Sequence, residues 1–226
     1  MKREKLWIFH HLGIGDCFIC NGIVRHYAFI TKNITLFYKD PYKEKVKRLY
    51  QDLDNISFED GGIYEDNLAK LWEMTNPGKP LLKCRIERLP EDGTKFDQIF
   101  YNQANLPIEY KWSKFYFKRD YKREKEVFYD ILGLYANEDF IFLHDDERVE
   151  TKSIPSDIKI IKPDNQEIDI YDYLFTIEMA KEVHLMNSSF YNLVDCIQLK
   201  HNNLFYHEYI RTNVNPTTKL KWKIIK

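Results

Sequence analysis

Three places in this chain combine residue types that can do chemistry. The first is Gly13-Ile14-Gly15-Asp16. An aspartate just after a glycine turn can take a proton from a hydroxyl, provided the two lie within about 2.6–3.2 Å. The same residue can serve only as a helix cap. The second place is Asn187-Ser188-Ser189. Serines at a helix start cap it through their hydroxyls, and the unpaired N–H groups there can hold a diphosphate. The third is His144-Asp145-Asp146-Glu147-Arg148. It reads either as a turn with an ion pair or as a grip on ribose or phosphate, for which the planar fork of arginine is suited. His10 and His11 end the first strand on opposite faces, one toward the core and one toward the cleft. A histidine beside a diphosphate can donate to it or offset leaving charge. A metal centre would have to gather His10, His11, Asp145 and Asp146, and no spacing demands that, so none is expected. Cys17 and Cys20 form a CxxC in sequence. They fall inside the first helix without partner clusters, which reads as core packing.

The elements that must position these groups follow from periodicity. Leu6 to His10 is a buried strand. Gly13 and Gly15 punctuate the chain, and glycine permits positive φ and close approach to the backbone. A helix follows from about Asp16 or Cys17, with Ile19, Ile23, Val24 and Tyr27 at helical spacing. Strands are expected at Ile34–Tyr38, Asn55–Phe58 and Leu81–Ile86. Helices are expected after Pro41, over Tyr64–Met74 with Leu68, Leu71 and Trp72 on one side, and over Phe96–Asn102. The ring-and-lysine segment Leu106–Asp120 reads as a cleft lining, an amphipathic strand or a linker. A second alternation then begins. It has a helix over Glu124–Leu134 ending near Gly133, and strands at Phe140–His144, Ile158–Ile161 and Val183–Met186. Further helices are expected at Ile170–Ala180 and Phe190–Ile197. The last stretch, from Leu204, holds a strand and a basic tail.

Composition bounds the class. The 226 residues suit one large domain or two small ones, and 44% hydrophobic residues suffice for real cores. With 16 tyrosines and 15 phenylalanines, ring-lined concave sites are within reach, and a net charge of -1 gives no sign of nucleic-acid binding. No signal peptide and no long apolar span is visible, so a cytoplasmic, reduced protein without a transmembrane segment is expected. Peripheral association with a glycan-synthesis site stays compatible with that.

HLGIGDCFICNGIVRHY resembles the N-terminal motif of the heptosyltransferase-like glycosyltransferases of family 9. The match lies at Gly15-Asp16 and at Arg25, nine positions on, with Gly22 where the family often has proline. VHLMNSSFYNLVDCI is similar to the family's strand, Asp-Ser/Thr-Gly turn and helix. Asn187, Ser188 and Ser189 take the turn's places; Ser189 replaces its glycine, and Asn192 a later histidine. A small, poorly characterised subtype resembles the chain in its HDD…R and SSF…LVD segments.

The resemblance implies an α/β fold of GT-B type, two small Rossmann-like lobes facing across a cleft. Residues 1–120 would be the acceptor lobe, 121–210 the nucleotide-sugar lobe, and 211–226 a tail packing on them. It implies transfer of a sugar from a nucleotide-sugar donor to a glycan or other hydroxyl acceptor, inverting, with no metal and no cofactor. Asp16 would be the general base, with burial or ligand charge raising its pKa. His144, Arg148, Asn187, Ser188 and Ser189 would hold the donor. His11, Gly15, Arg25 and Lys118 would serve the substrate, although Arg25 can equally anchor Asp16 or form only a structural pair. A non-catalytic nucleotide-sugar or glycan-binding protein on the same scaffold is the alternative. A nicotinamide oxidoreductase rests only on the strand–GxG–helix, which lacks the third glycine and the following acid.

Overall fold

Leu6 to His10 are all buried, as a parallel strand covered on both faces requires. They end β1 (Arg3–His10), the strand around which the first half of the chain is built. The computed structural model describes residues 2–62, 65–86, 91–146, 148–149, 151, 154, 157–210 and 215–226, with only the backbone of 65–68. Tyr64, Glu147, positions 211–214 of the expected tail and the side chain of Leu68 lie outside the described residues.

The chain divides into two compact units, Met1–Lys118 and Arg119–Lys226. In the first, β1 is followed by α1 (Ile14–Ile30), β2 (Thr31–Tyr38), α2 (Lys43–Leu49) and β3 (Ile56–Asp60). Then come α3 (Glu65–Thr75), β4 (Leu81–Cys84), α4 (Phe96–Gln103) and the short α5 (Tyr110–Ser113). The four strands are parallel, in the order β3-β2-β1-β4. Two of the unit's cores lie around β1 and α1. Trp7 and Phe9 join Leu12, Phe37 and Trp72. Ile19, Cys20 and Ile23 of α1 pack with Cys84, Phe96, Phe100 and Tyr101.

The second unit runs α6 (Tyr121–Glu126), β5 (Phe140–His144), β6 (Lys159–Ile161), α7 (Leu174–Met179), β7 (Glu182–Leu185), α8 (Ser189–Cys196), β8 (Leu204–His207) and β9 (Lys223–Ile225). Its five strands are also parallel, in the order β6-β5-β7-β8-β9. Phe142 packs on Tyr173 and Phe190, and Phe128 on Phe140 and Phe175. Gly133 ends the α6 region at φ 59°, a left-handed position that glycine adopts without strain.

Some expectations need adjusting. The helix predicted over Glu124–Leu134 starts earlier, at Tyr121, and passes into a π turn over Val127–Ile131. The helix predicted from Ile170 opens as a 3-10 turn, Ile170–Tyr173, before α7. Lys223–Ile225, read from sequence as part of a tail, is the edge strand beside β8. The segment Leu106–Asp120 contains no strand among its described residues. It forms α5 and lies along α1, where the Tyr116 carbonyl accepts from Asn21 and Arg25. Gly22 makes that packing possible. A Cβ there would lie 2.1 Å from the Tyr110 carbonyl oxygen. All four cysteines are buried, and burial pushes the Cys84 thiol up to about 12.

Candidate functional site

In open parallel sheets, ligands bind outside the carboxyl ends of the strands, where the strand order reverses. The first sheet reverses between β1 and β4, the second between β5 and β7. Both chemical motifs follow these strands.

At the first reversal, α1 starts at Ile14 rather than at Asp16, because the Gly13 carbonyl already accepts from Cys17 N at 3.0 Å. Asp16 is therefore the third helical residue, half-buried at the positive end of a 17-residue helix. Gly13 is extended, at φ -65° and ψ 143°, so its glycine is not required by positive φ. A Cβ at Gly13 would lie 2.9 Å from Asp16 Oδ2, so a side chain there would make the carboxylate turn aside. The carboxylate thus folds back over the turn. Gly15 lies within the first turn of α1 and is half-buried.

The two histidines differ in burial. His10 is fully buried, with Nδ1 2.5 Å from the His11 carbonyl oxygen. His11 is half-buried against Phe100, and its Nε2 accepts from Ile86 N at 3.1 Å. That bond ties the end of β1 to the chain leaving β4, across the reversal.

Arg25 lies nine residues along α1 from Asp16, about 13.5 Å at the helical rise. Its guanidinium meets both oxygens of Asp52 at 2.9 and 2.8 Å, the Leu49 carbonyl at 3.1 Å and the Tyr116 carbonyl at 2.6 Å. Burial alone would raise the Asp52 carboxyl, and the Arg25 guanidinium holds it below its usual value. Arg25 thus fastens α1 to the end of α2 and to the segment after α5. It is not brought beside Asp16. Lys118 has an exposed side chain at the end of the first unit, and its carbonyl accepts from Gln51.

At the second reversal the structure joins two of the predicted residues. His144 ends β5 opposite Leu185 of β7, and its Nδ1 lies 3.0 Å from Ser188 Oγ. Ser188 is the N-cap of α8 and accepts from Tyr191 N at 3.4 Å. Phe190 packs under the His144 ring, 4.9 Å between centroids. Asn187 is buried beside the cap, and Ser189 opens the helix. The acidic stretch after β5 disperses. Asp145 accepts from Thr151 and Lys162, while Asp146 pairs with Arg148, whose side chain is 81% exposed. Burial would raise the Asp145 carboxyl, but the Lys162 and Thr151 bonds hold it low. Among the described residues no group of three or more His, Cys, Asp or Glu could hold a metal ion.

Two features escaped sequence reasoning. Lys162 comes to Asp145 only through β6 pairing with β5. His184 and His207, on neighbouring strands, share a hydrogen bond of 3.0 Å. The Glu182-x-His184 spacing on a strand could have flagged one shared face. Its partner needed the β7–β8 register.

No model of a known protein family and no curated protein matches the sequence. Among solved structures, the chain is similar to the glycosyl transferase family 9 protein from Veillonella parvula DSM 2008, at 10% identity and a TM-score of 0.56. The match covers 91% of this chain and 80% of that one. The fold is GT-B-like: two α/β lobes, each with a parallel Rossmann-type sheet. Among the described residues no helix is long and apolar enough to cross a membrane.

Proposed function

We propose that the chain is a glycosyltransferase of the family 9 type, moving a sugar from a nucleotide-sugar donor to a glycan or other hydroxyl acceptor. The observation that carries this reading is the fold likeness, over nine-tenths of the chain, to a protein described as a family 9 glycosyl transferase. The two motifs support it by following the strands at which the two sheets reverse.

In this reading the first unit serves the acceptor and the second the donor. The Asp16 carboxylate takes the proton from the acceptor hydroxyl as that oxygen attacks the anomeric carbon. The bond from that carbon to the diphosphate oxygen breaks, and its electron pair leaves with the diphosphate, so the sugar inverts. Ser188, Ser189 and the N–H groups opening α8 receive the growing negative charge, with the helix dipole favouring it. His144 orients the Ser188 hydroxyl. Arg148 or Lys118 supplies the cation that a metal would otherwise provide. Gly13 and Gly15 leave room for Asp16 and the acceptor, and His11 lines that side. Arg25, committed to Asp52, holds α1 in place. The reading places the reaction in the cytoplasm, or peripherally at a glycan-synthesis site.

Calorimetric titration with ADP, GDP, UDP, CMP and their sugar conjugates tests it. One class should bind saturably, and Asp16→Asn should abolish turnover while keeping that binding. No binding by any member overturns the reading. Binding lost together with turnover removes Asp16 from the role of base. Binding without turnover across a broad acceptor panel would identify a binding protein instead.

A further inference from the structure

In the second unit, four side chains form one continuous chain of hydrogen bonds. Glu182 Oε2 lies 3.0 Å from His184 Nε2, His184 Nδ1 lies 3.0 Å from His207 Nε2, and His207 Nδ1 lies 3.0 Å from the Tyr209 hydroxyl. Register explains the assembly. Phe205 pairs with His184, so His184, Phe205 and His207 share one face of the sheet. The Phe205 ring stacks on His184 at 4.4 Å and 7°, which fixes the imidazole plane. Both histidines are 1% exposed.

We propose that this chain is a one-way latch between β7 and the segment after β8, and that uptake of a single proton reverses its Tyr209 end. A carboxylate only accepts, so His184 Nε2 carries hydrogen. In the neutral ring Nδ1 then accepts, and His207 Nε2 must donate to it. Nδ1 of His207 accepts in turn, and the Tyr209 hydroxyl donates. Every hydrogen points toward Glu182.

An added proton finds its place at His207 Nδ1. Tyr209 must then accept rather than donate, and its own hydrogen turns away. A second proton would set two N–H groups head-on across 3.0 Å, so the pair holds one only. The charged groups around it are Glu182, Asp145, which favours the charged His207, and Lys223, which lies over the Phe205 ring. Burial keeps both rings neutral near pH 7. The inference is independent of the glycosyl-transfer reading. Its consequence is local: Tyr209 leaves β8 at the carboxyl edge, beside the strand that leads to Ser188.

Imidazole nitrogen NMR on the full chain, titrated from pH 7.5 downward, decides it. At pH 7.5 both rings should be Nε2–H tautomers with unprotonated Nδ1. As pH falls, His207 Nδ1 should gain a proton while His184 Nδ1 stays bare until the unit unfolds. In Glu182→Gln the amide can present donor or acceptor, so the two rings should show mixed tautomers. A protonated His184 Nδ1 in the native chain at pH 7.5 overturns the proposal, as does a second proton on the folded pair. An unchanged tautomer pattern in Glu182→Gln also overturns it.

Discussion

Gly22→Ala tests whether the α1–α5 packing holds the helix that carries Asp16. In an ordinary helix interior, alanine is favoured over glycine by about 1 kcal/mol. Here the added Cβ would sit 2.1 Å from the Tyr110 carbonyl oxygen, 2.8 Å from its carbon and 2.9 Å from the Tyr101 hydroxyl. Ordinary contact begins near 3.4 Å. The obstacle is backbone, which cannot rotate away as a side-chain end can, so α5 must retreat by more than an ångström. Retreat also strains the Tyr101 bond to the Ile19 carbonyl and the docking of Tyr116 on Asn21 and Arg25. Overpacking costs about 1–3 kcal/mol, and a backbone clash belongs at the upper end. Subtracting the propensity gain leaves a net loss of about 2 kcal/mol. Urea unfolding followed by tryptophan fluorescence reads this, because Trp7 and Trp72 report on the first unit. Unchanged or raised stability of that unit would refute the packing argument, since propensity alone predicts a gain.

Three other outcomes are expected. Asp97→Asn should destabilise the first unit by about 3–5 kcal/mol, because it removes the carboxylate 2.9 Å from Lys111 Nζ in a pair that is 0–1% exposed; Asp97→Asn with Lys111→Met should recover much of that loss in the same urea assay. Ser188→Ala should cost about 1 kcal/mol through loss of the α8 cap, and should weaken nucleoside diphosphate binding by calorimetry. Acid should destabilise the second unit: burial pushes His207 from 6.5 down to about 4. The folded state then binds fewer protons than the unfolded chain between those values, so stability is full above pH 6.5 and is lost as pH falls toward 4. The loss is at most about 3 kcal/mol, from about 1.36 kcal/mol per pKa unit, and His207→Phe should flatten it in urea midpoints measured at pH 7 and 4.5.

Much of the fold is written in local pattern. β1 and β5 end in buried apolar runs, and Ser188 sits directly before a helical repeat, so their places and types follow from short-range chemistry. That pattern also proposed Asp16 and the Asn187–Ser189 turn as sites, because a strand leading through a turn into a helix always leaves unpaired N–H groups there. Boundaries read less well. The start of α1 at Ile14 depends on the Gly13 carbonyl, and the breaks into 3-10 and π geometry near Ile170 and Val127 depend on packing rather than on spacing.

Pairings over long sequence separations were decided only by the tertiary structure. Strand order brought His144 to Ser188 across 44 positions, and the packing of α2 beside α1 turned Arg25 to Asp52 instead of Asp16. Register set His184 against His207 and recruited Lys223–Ile225 as an edge strand. The spacing of residues records which groups can share one helix or strand face. Which face meets which is fixed by hydrogen-bonded register and side-chain volume, as when Gly22 admits the Tyr110 backbone and Gly13 admits the Asp16 carboxylate.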